Sequence, residues 1–267
     1  MKAALTTYLE DSAQPFTSLL FVTPLLIVYE LGLWLAADDQ ARNAADQWLR
    51  SGMAELGFSG LLLLPLITVS SLLAWHHISH RQWTFPPQVL GGMYVESCLF
   101  AATLLAFASC WTWDDPAAAM HAVNSHATST SLATPQLAAG QVPAVGAGLS
   151  AAPGAERWAL LVTYLGAGIY EEVLFRLLLL SALAGLALAA GLERPVAGAL
   201  AIGISSFFFA LAHYQTLVPA GEVLEANSFQ FRLAAGLFFG ILFWNRGFGI
   251  TVGTHAIYDL MVGLQQI

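Results

Sequence analysis

The sequence predicts an all-α integral membrane protein, a polytopic bundle of seven to eight transmembrane helices with a polar site inside it. Three observations carry this. Hydrophobic residues make up 57% of the 267-residue chain and charged residues only 10%, against about 25% charged in an ordinary soluble domain. The mean hydropathy is +0.67. Apolar runs near the ~20 residues that a helix needs to cross a bilayer recur along the chain. Backbone polar groups facing lipid must be satisfied within their own segment, so these runs are helices and not open strands.

Two broad readings are excluded or weakened by composition. A net charge of −8 offers no basic surface for nucleic acid. Cys98 and Cys110 fall in one apolar run, separated by roughly 18 Å of helix. That is beyond the reach of a disulfide, so cysteine usage does not report the compartment.

In order along the chain, residues 3–15 read as a short interfacial helix. Lys2 is the sole early positive charge and no small-residue cleavage site follows, so a cleavable signal is not expected here. Spans follow at 16–37, 55–75 and 89–111. Pro24 is expected to kink the first of them. Residues 113–157, with stretches such as "DDPAAAMHAVNSH", are rich in Ala, Ser, Thr, Pro and Gly and read as a flexible loop. Further spans are expected at 158–190, 196–217, 229–245 and 247–265. The run 158–190 is too long for one upright crossing, so it tilts or breaks near Gly185. The expected organisation is three spans in 1–112, the loop, and a helical core in 158–267. Positive charges split evenly between the two sides, and orientation only leans towards an inside N-terminus.

The chemistry-bearing residues lie after the loop. The stretch "GIYEEVLFRLLLL", residues 168–180, places two glutamates and an arginine where a charge costs a few kcal/mol. Glu172 and Arg176 are four apart and can pair on one helix face. Glu171 points about 100° away from Glu172, free to face a cavity. "FFFALAHYQ" places Phe209 and His213 on one face near the end of its span, and "GTHAIYDLM" does the same for His255 and Asp259. Each pair alone reads as packed polar residues between helices. Three helices that each bring ionisable groups into one apolar bundle read together as one site.

Amide hydrolysis needs an activated water, an acid for the leaving amine and donors for the oxyanion. Glu171 with His213 can hold and deprotonate water. His255, with Asp259 behind it to orient the ring, can polarise the carbonyl or complete a metal shell. Glu171, His213 and His255 would form a catalytic zinc site if a metal is bound, although the common His-Glu-x-x-His zinc helix is absent. A proton or ion relay and a catalytically silent scaffold or immunity protein are the competing classes. The expected partners are a membrane-associated peptide or protein substrate and the lipid bilayer.

The joint pattern Glu-Glu-x-x-x-Arg (Glu171, Glu172, Arg176), Phe-x-x-x-His (Phe209, His213) and His-x-x-x-Asp (His255, Asp259) resembles the CPBP family of intramembrane proteases. That family includes the CAAX prenyl endopeptidases and proteins linked to bacteriocin processing or self-immunity. The resemblance covers about the C-terminal 110 residues. It implies an intramembrane endopeptidase, multi-pass in a bacterial inner membrane, with an interior site open to one membrane face and the bilayer. It implies that Glu171 activates water with His213 and that His255 and Asp259 stabilise the oxyanion. Both zinc-dependent and metal-free glutamate mechanisms have been advanced for such enzymes. Where the prenyl endopeptidases carry Asn, this chain carries Asp259.

Other polar features have blander readings. His76, His77 and His80 in "WHHISHRQW" sit at helical spacing, but the flanking Trp75, Arg81 and Trp83 favour an interfacial belt. Glu30 and Glu96 lie within spans, where each lines the cavity or pairs with a neighbouring helix. Gly166, Gly168, Gly236, Gly240, Gly249 and Gly253 read as close helix contacts.

Overall fold

The computed structural model describes residues 2–36, 42–60, 62–84, 87–111, 153–217 and 221–264. Among these, regular structure is helical apart from one isolated bridge between Tyr214 and Glu222. The helices are α1 (Lys2–Ser12), α2 (Pro15–Ala36), α3 (Ala44–Glu55), α4 (Leu63–Ile78) and α5 (Pro87–Trp111). After the loop come α6 (Pro153–Glu172), a π-helical segment (Val173–Leu180), α7 (Ser181–Ala189), α8 (Arg194–Leu211), α9 (Ala226–Arg246) and α10 (Phe248–Leu264). Helix α6 starts inside the predicted 113–157 loop, and the rest of that loop lies outside the described residues.

Among the described residues, five apolar helices are long enough to cross a membrane: 15–35, 87–111, 158–189, 194–211 and 226–246. The count is therefore lower than the seven to eight expected. The predicted span 55–75 loses its start because Gly57 and Gly60 adopt φ +84° and +159°, conformations that end a helix. The polar segment before that break forms the separate helix α3, which Asn43 caps by accepting from the Ala45 and Asp46 amides. At the other end of the chain, α10 is short because it is enclosed. Residues 248–256 are all buried, and α10 packs against α2, α5, α6 and α9. A helix that is apolar all round belongs inside a bundle.

The long run 158–190 does not break at Gly185. It changes pitch at 173–180, where the Ser181 amide reaches back to the Arg176 carbonyl in the wider i→i+5 pattern. The Ser181 hydroxyl donates to that same carbonyl, and the Ser205 hydroxyl donates to Phe175 O at 2.6 Å. Side-chain hydroxyls thus satisfy carbonyls along the π segment.

Helices α6 and α10 touch backbone to backbone. A Cβ on Gly168 would lie 2.5 Å from the Ala256 N and Cα atoms. At the other end of α10, Gly247 takes φ +80° and turns the chain directly out of α9. The main core joins Val22 and Tyr29 of α2, Leu72 of α4, Ile169 and Tyr170 of α6 and Val252 of α10. A second cluster joins α5, α9 and α10 through Leu104, Phe239 and Tyr258.

Glu30 and Glu96 both pair with neighbours. Glu96 receives Arg246 Nε at 2.6 Å and the Tyr8 hydroxyl at 2.6 Å. Glu30 receives the Tyr170 hydroxyl at 2.9 Å and faces Arg50 Nη2 at 3.5 Å. His76 is buried against Trp83 and Phe16, whereas His77 and His80 are exposed.

Candidate active site

Local spacing builds the first half of the site. Glu172 and Arg176 pair at 3.1 Å across the start of the π segment, both fully buried. The Arg176 guanidinium also donates to Gly236 O at 3.1 Å and lies 4.3 Å over the Phe209 ring. A buried guanidinium is tolerated because a carboxylate, a carbonyl and an aromatic face surround it.

Glu171 turns the other way, as its position on the helix requires. Its Oε1 accepts from Asn43 Nδ2 at 3.0 Å. Its Oε2 lies 3.9 Å from His213 Nε2 and 3.9 Å from His255 Nε2. That oxygen is buried and makes no hydrogen bond among the described residues.

His213 sits in the turn just past α8, not within the helix as the span 196–217 implied. Its Nδ1 lies 2.8 Å from the Phe209 carbonyl. A carbonyl only accepts, so the proton is on Nδ1 and Nε2 is left facing Glu171. The turn is pinned from below. The Glu222 amide donates to His213 O at 2.9 Å, the Tyr214 hydroxyl donates to Ser228 at 2.8 Å, and Arg232 pairs with Glu222.

His255 is buried, with its ring stacked on Phe239 at 4.4 Å and 18°. Its Nδ1 lies 2.7 Å from Glu172 Oε1, and its Nε2 lies 3.4 Å from Asp259 Oδ2. The expected place of Asp259 behind the ring is therefore held by Glu172. Asp259 stands on the same side as Glu171, with both oxygens buried.

All seven residues singled out from the sequence meet in this cluster: Glu171, Glu172, Arg176, Phe209, His213, His255 and Asp259. Asn43 and Phe239 also belong to it and were not foreseen. Asn43 carries a legible helix-start signal, an N-cap residue with Asp46 in the first turn, but nothing in the sequence links it to Glu171. Phe239 is one of many phenylalanines and carries no signal of its own.

Residues 153–261 match the model of the family described as type II CAAX prenyl endopeptidase Rce1-like. This stretch is Rce1-like. All three motifs lie within the Rce1-like segment, in agreement with the resemblance drawn from them. That family is described as one of endopeptidases, and five helices among the described residues are long and apolar enough to cross a membrane, as in a multi-pass membrane protein. No curated protein and no solved structure gives a match. Asn43 lies outside the Rce1-like segment.

Among the described residues, no group of three His, Cys, Asp or Glu side chains is arranged to hold a metal ion.

Proposed function

We propose that the chain is an intramembrane endopeptidase that hydrolyses a peptide bond in a membrane-associated polypeptide, with Glu171 as the base. The observation that carries this reading is the position of Glu171 Oε2, 3.9 Å from each of two imidazole Nε2 atoms. Those separations are too long for direct hydrogen bonds and suit one water bridging the carboxylate and an imidazole. The water donates one proton to Glu171 Oε2 as its oxygen bonds to the carbonyl carbon. His213 Nε2 accepts a hydrogen bond from the other O–H of the same water, which stays on the attacking oxygen, and so orients it. His255 stands opposite and, with a proton on Nε2, donates to the oxyanion while Glu172 holds Nδ1. When the tetrahedral intermediate collapses, the C–N bond breaks and Glu171 returns its proton to the leaving amine.

The proposed substrate is a polypeptide segment presented at or within the bilayer, in keeping with a family described by CAAX prenyl endopeptidases. Phe209 and Phe239 flank the polar atoms and keep bulk water from them.

The test compares purified protein with Glu171→Gln on membrane-anchored peptides, prenylated and unprenylated, by mass spectrometry. Wild type should release products at a rate at least about 100-fold above the variant. Equal behaviour of the two proteins would overturn the proposal in favour of a relay or a silent scaffold.

A further inference from the structure

Helix α3 reaches the candidate site from the N-terminal part of the chain through the side chain of its N-cap, Asn43. Asn43 Oδ1 accepts from the Ala45 amide at 2.7 Å and the Asp46 amide at 3.3 Å. Both donors are backbone N–H groups, so the oxygen must face the helix. The amide nitrogen is then left to face Glu171, to which it donates at 3.0 Å. The orientation of the Asn43 amide is thus determined by the helix that it caps.

That helix is tied down beside the site. Asp46 receives the Tyr29 hydroxyl at 2.8 Å, Arg50 Nε at 2.6 Å and Arg42 Nη1 at 3.0 Å. Arg50 reaches on to Glu30, which receives the hydroxyl of Tyr170, the residue before Glu171. Helices α2, α3 and α6 are locked together at the level of Glu171.

We infer that Asn43 is a positioning residue for Glu171: it holds Oε1, so that Oε2 is the oxygen presented to His213 and His255. The inference rests on the reading of Glu171 as the base. A carboxylate has two equivalent oxygens and a broad terminal torsion. Without a donor on one oxygen, the group samples orientations in which neither oxygen meets both imidazoles. A displacement of about 1 Å at a reacting group costs on the order of 100-fold in rate.

The test uses the full chain with Asn43→Ser and Asn43→Ala. Serine keeps the helix cap but is too short to reach Glu171, whereas alanine loses both contacts. The first readout is the infrared carboxyl band of Glu171, identified as the band that disappears in Glu171→Gln. It should shift in Asn43→Ser, while amide exchange in α3 stays as in wild type. The second is kinetic: Asn43→Ser should lower kcat by about 100-fold with KM unchanged. A wild-type band position or a wild-type kcat in Asn43→Ser overturns the inference. Loss of kcat in Asn43→Ala alone, together with faster exchange in α3, assigns Asn43 to capping only and also overturns it. If wild type itself cleaves nothing, the proposed function falls and takes the kinetic consequence with it, and the band alone decides whether Asn43 orients Glu171.

Discussion

Glu172 holds two partners with one oxygen: its Oε1 lies 2.7 Å from His255 Nδ1 and 3.1 Å from Arg176 Nη1. The ion pair read from local spacing is therefore also the anchor of a histidine on another helix. A proton held on Nδ1 by Glu172 leaves Nε2 as the nitrogen that faces Glu171 and Asp259. Glu172 does for His255 what a supporting carboxylate does for many functional histidines: it takes the Nδ1 proton in a hydrogen bond and fixes the ring direction.

Replacing Glu172 and Arg176 together by leucine separates the two roles. A buried ion pair exchanged for apolar residues of similar size is often neutral or stabilising by about 1–4 kcal/mol. The double variant should thus unfold no earlier than wild type in detergent. Its cleavage rate should nevertheless fall by about 10–100-fold, the usual cost of removing a partner that orients a functional histidine. Wild-type turnover in the double variant would show that His255 keeps its place without Glu172.

Gly168→Ala and Gly185→Ala should have opposite signs. At Gly168 the new Cβ would lie 2.5 Å from the Ala256 backbone, which no rotamer change relieves. The expected cost is about 1–3 kcal/mol, with activity lost as α6 and α10 separate. At Gly185 nothing lies within 4 Å of the new Cβ, and alanine in a helix interior should add roughly 0.5–1 kcal/mol. Unfolding midpoints of the two variants, measured side by side, decide this.

The stack of Phe239 on His255 predicts a kinetic effect larger than its effect on stability. Phe239→Leu keeps most of the apolar volume but loses the ring contact, worth about 0.5–1.5 kcal/mol. Steady-state kinetics should show a lower kcat at an unchanged KM, because the imidazole loses the surface that fixes its plane. A change confined to KM would place Phe239 in substrate binding instead.

Tyr29→Phe removes one donor from Asp46 and leaves the two arginines in place. The loss should be about 0.5–1.5 kcal/mol. Hydrogen exchange should quicken in the amides of α3 before those of α10. Activity should fall less than in Asn43→Ser, since the Asn43–Glu171 contact is weakened rather than removed.

The sequence by itself determined the membrane-bundle class, because apolar run length and backbone satisfaction in lipid are properties of each segment alone. It also determined the pairings that lie one helical turn apart. Glu172 meets Arg176, Phe209 meets His213 and His255 meets Asp259 because the helix repeat puts residues four apart on one face. Run length was less reliable as a count of spans. Gly57 and Gly60 cut one predicted span, and the enclosed α10 needs no bilayer-spanning length because protein surrounds it.

Only the tertiary structure decided which atoms of those pairs meet across helices. Asn43 and Glu171 are 128 positions apart and Glu172 and His255 are 83 apart, so no local periodicity relates them. Their contacts depend on how closely α6 approaches α10 at Gly168 and on where α3 is clamped by Asp46. A histidine's spacing along its helix places the ring, but the choice of nitrogen presented to an acid is made by the neighbour that takes the other one. For His255 that neighbour is Glu172, not the aspartate one turn away, because packing brings the α6 carboxylate to Nδ1 and leaves Asp259 beside Nε2.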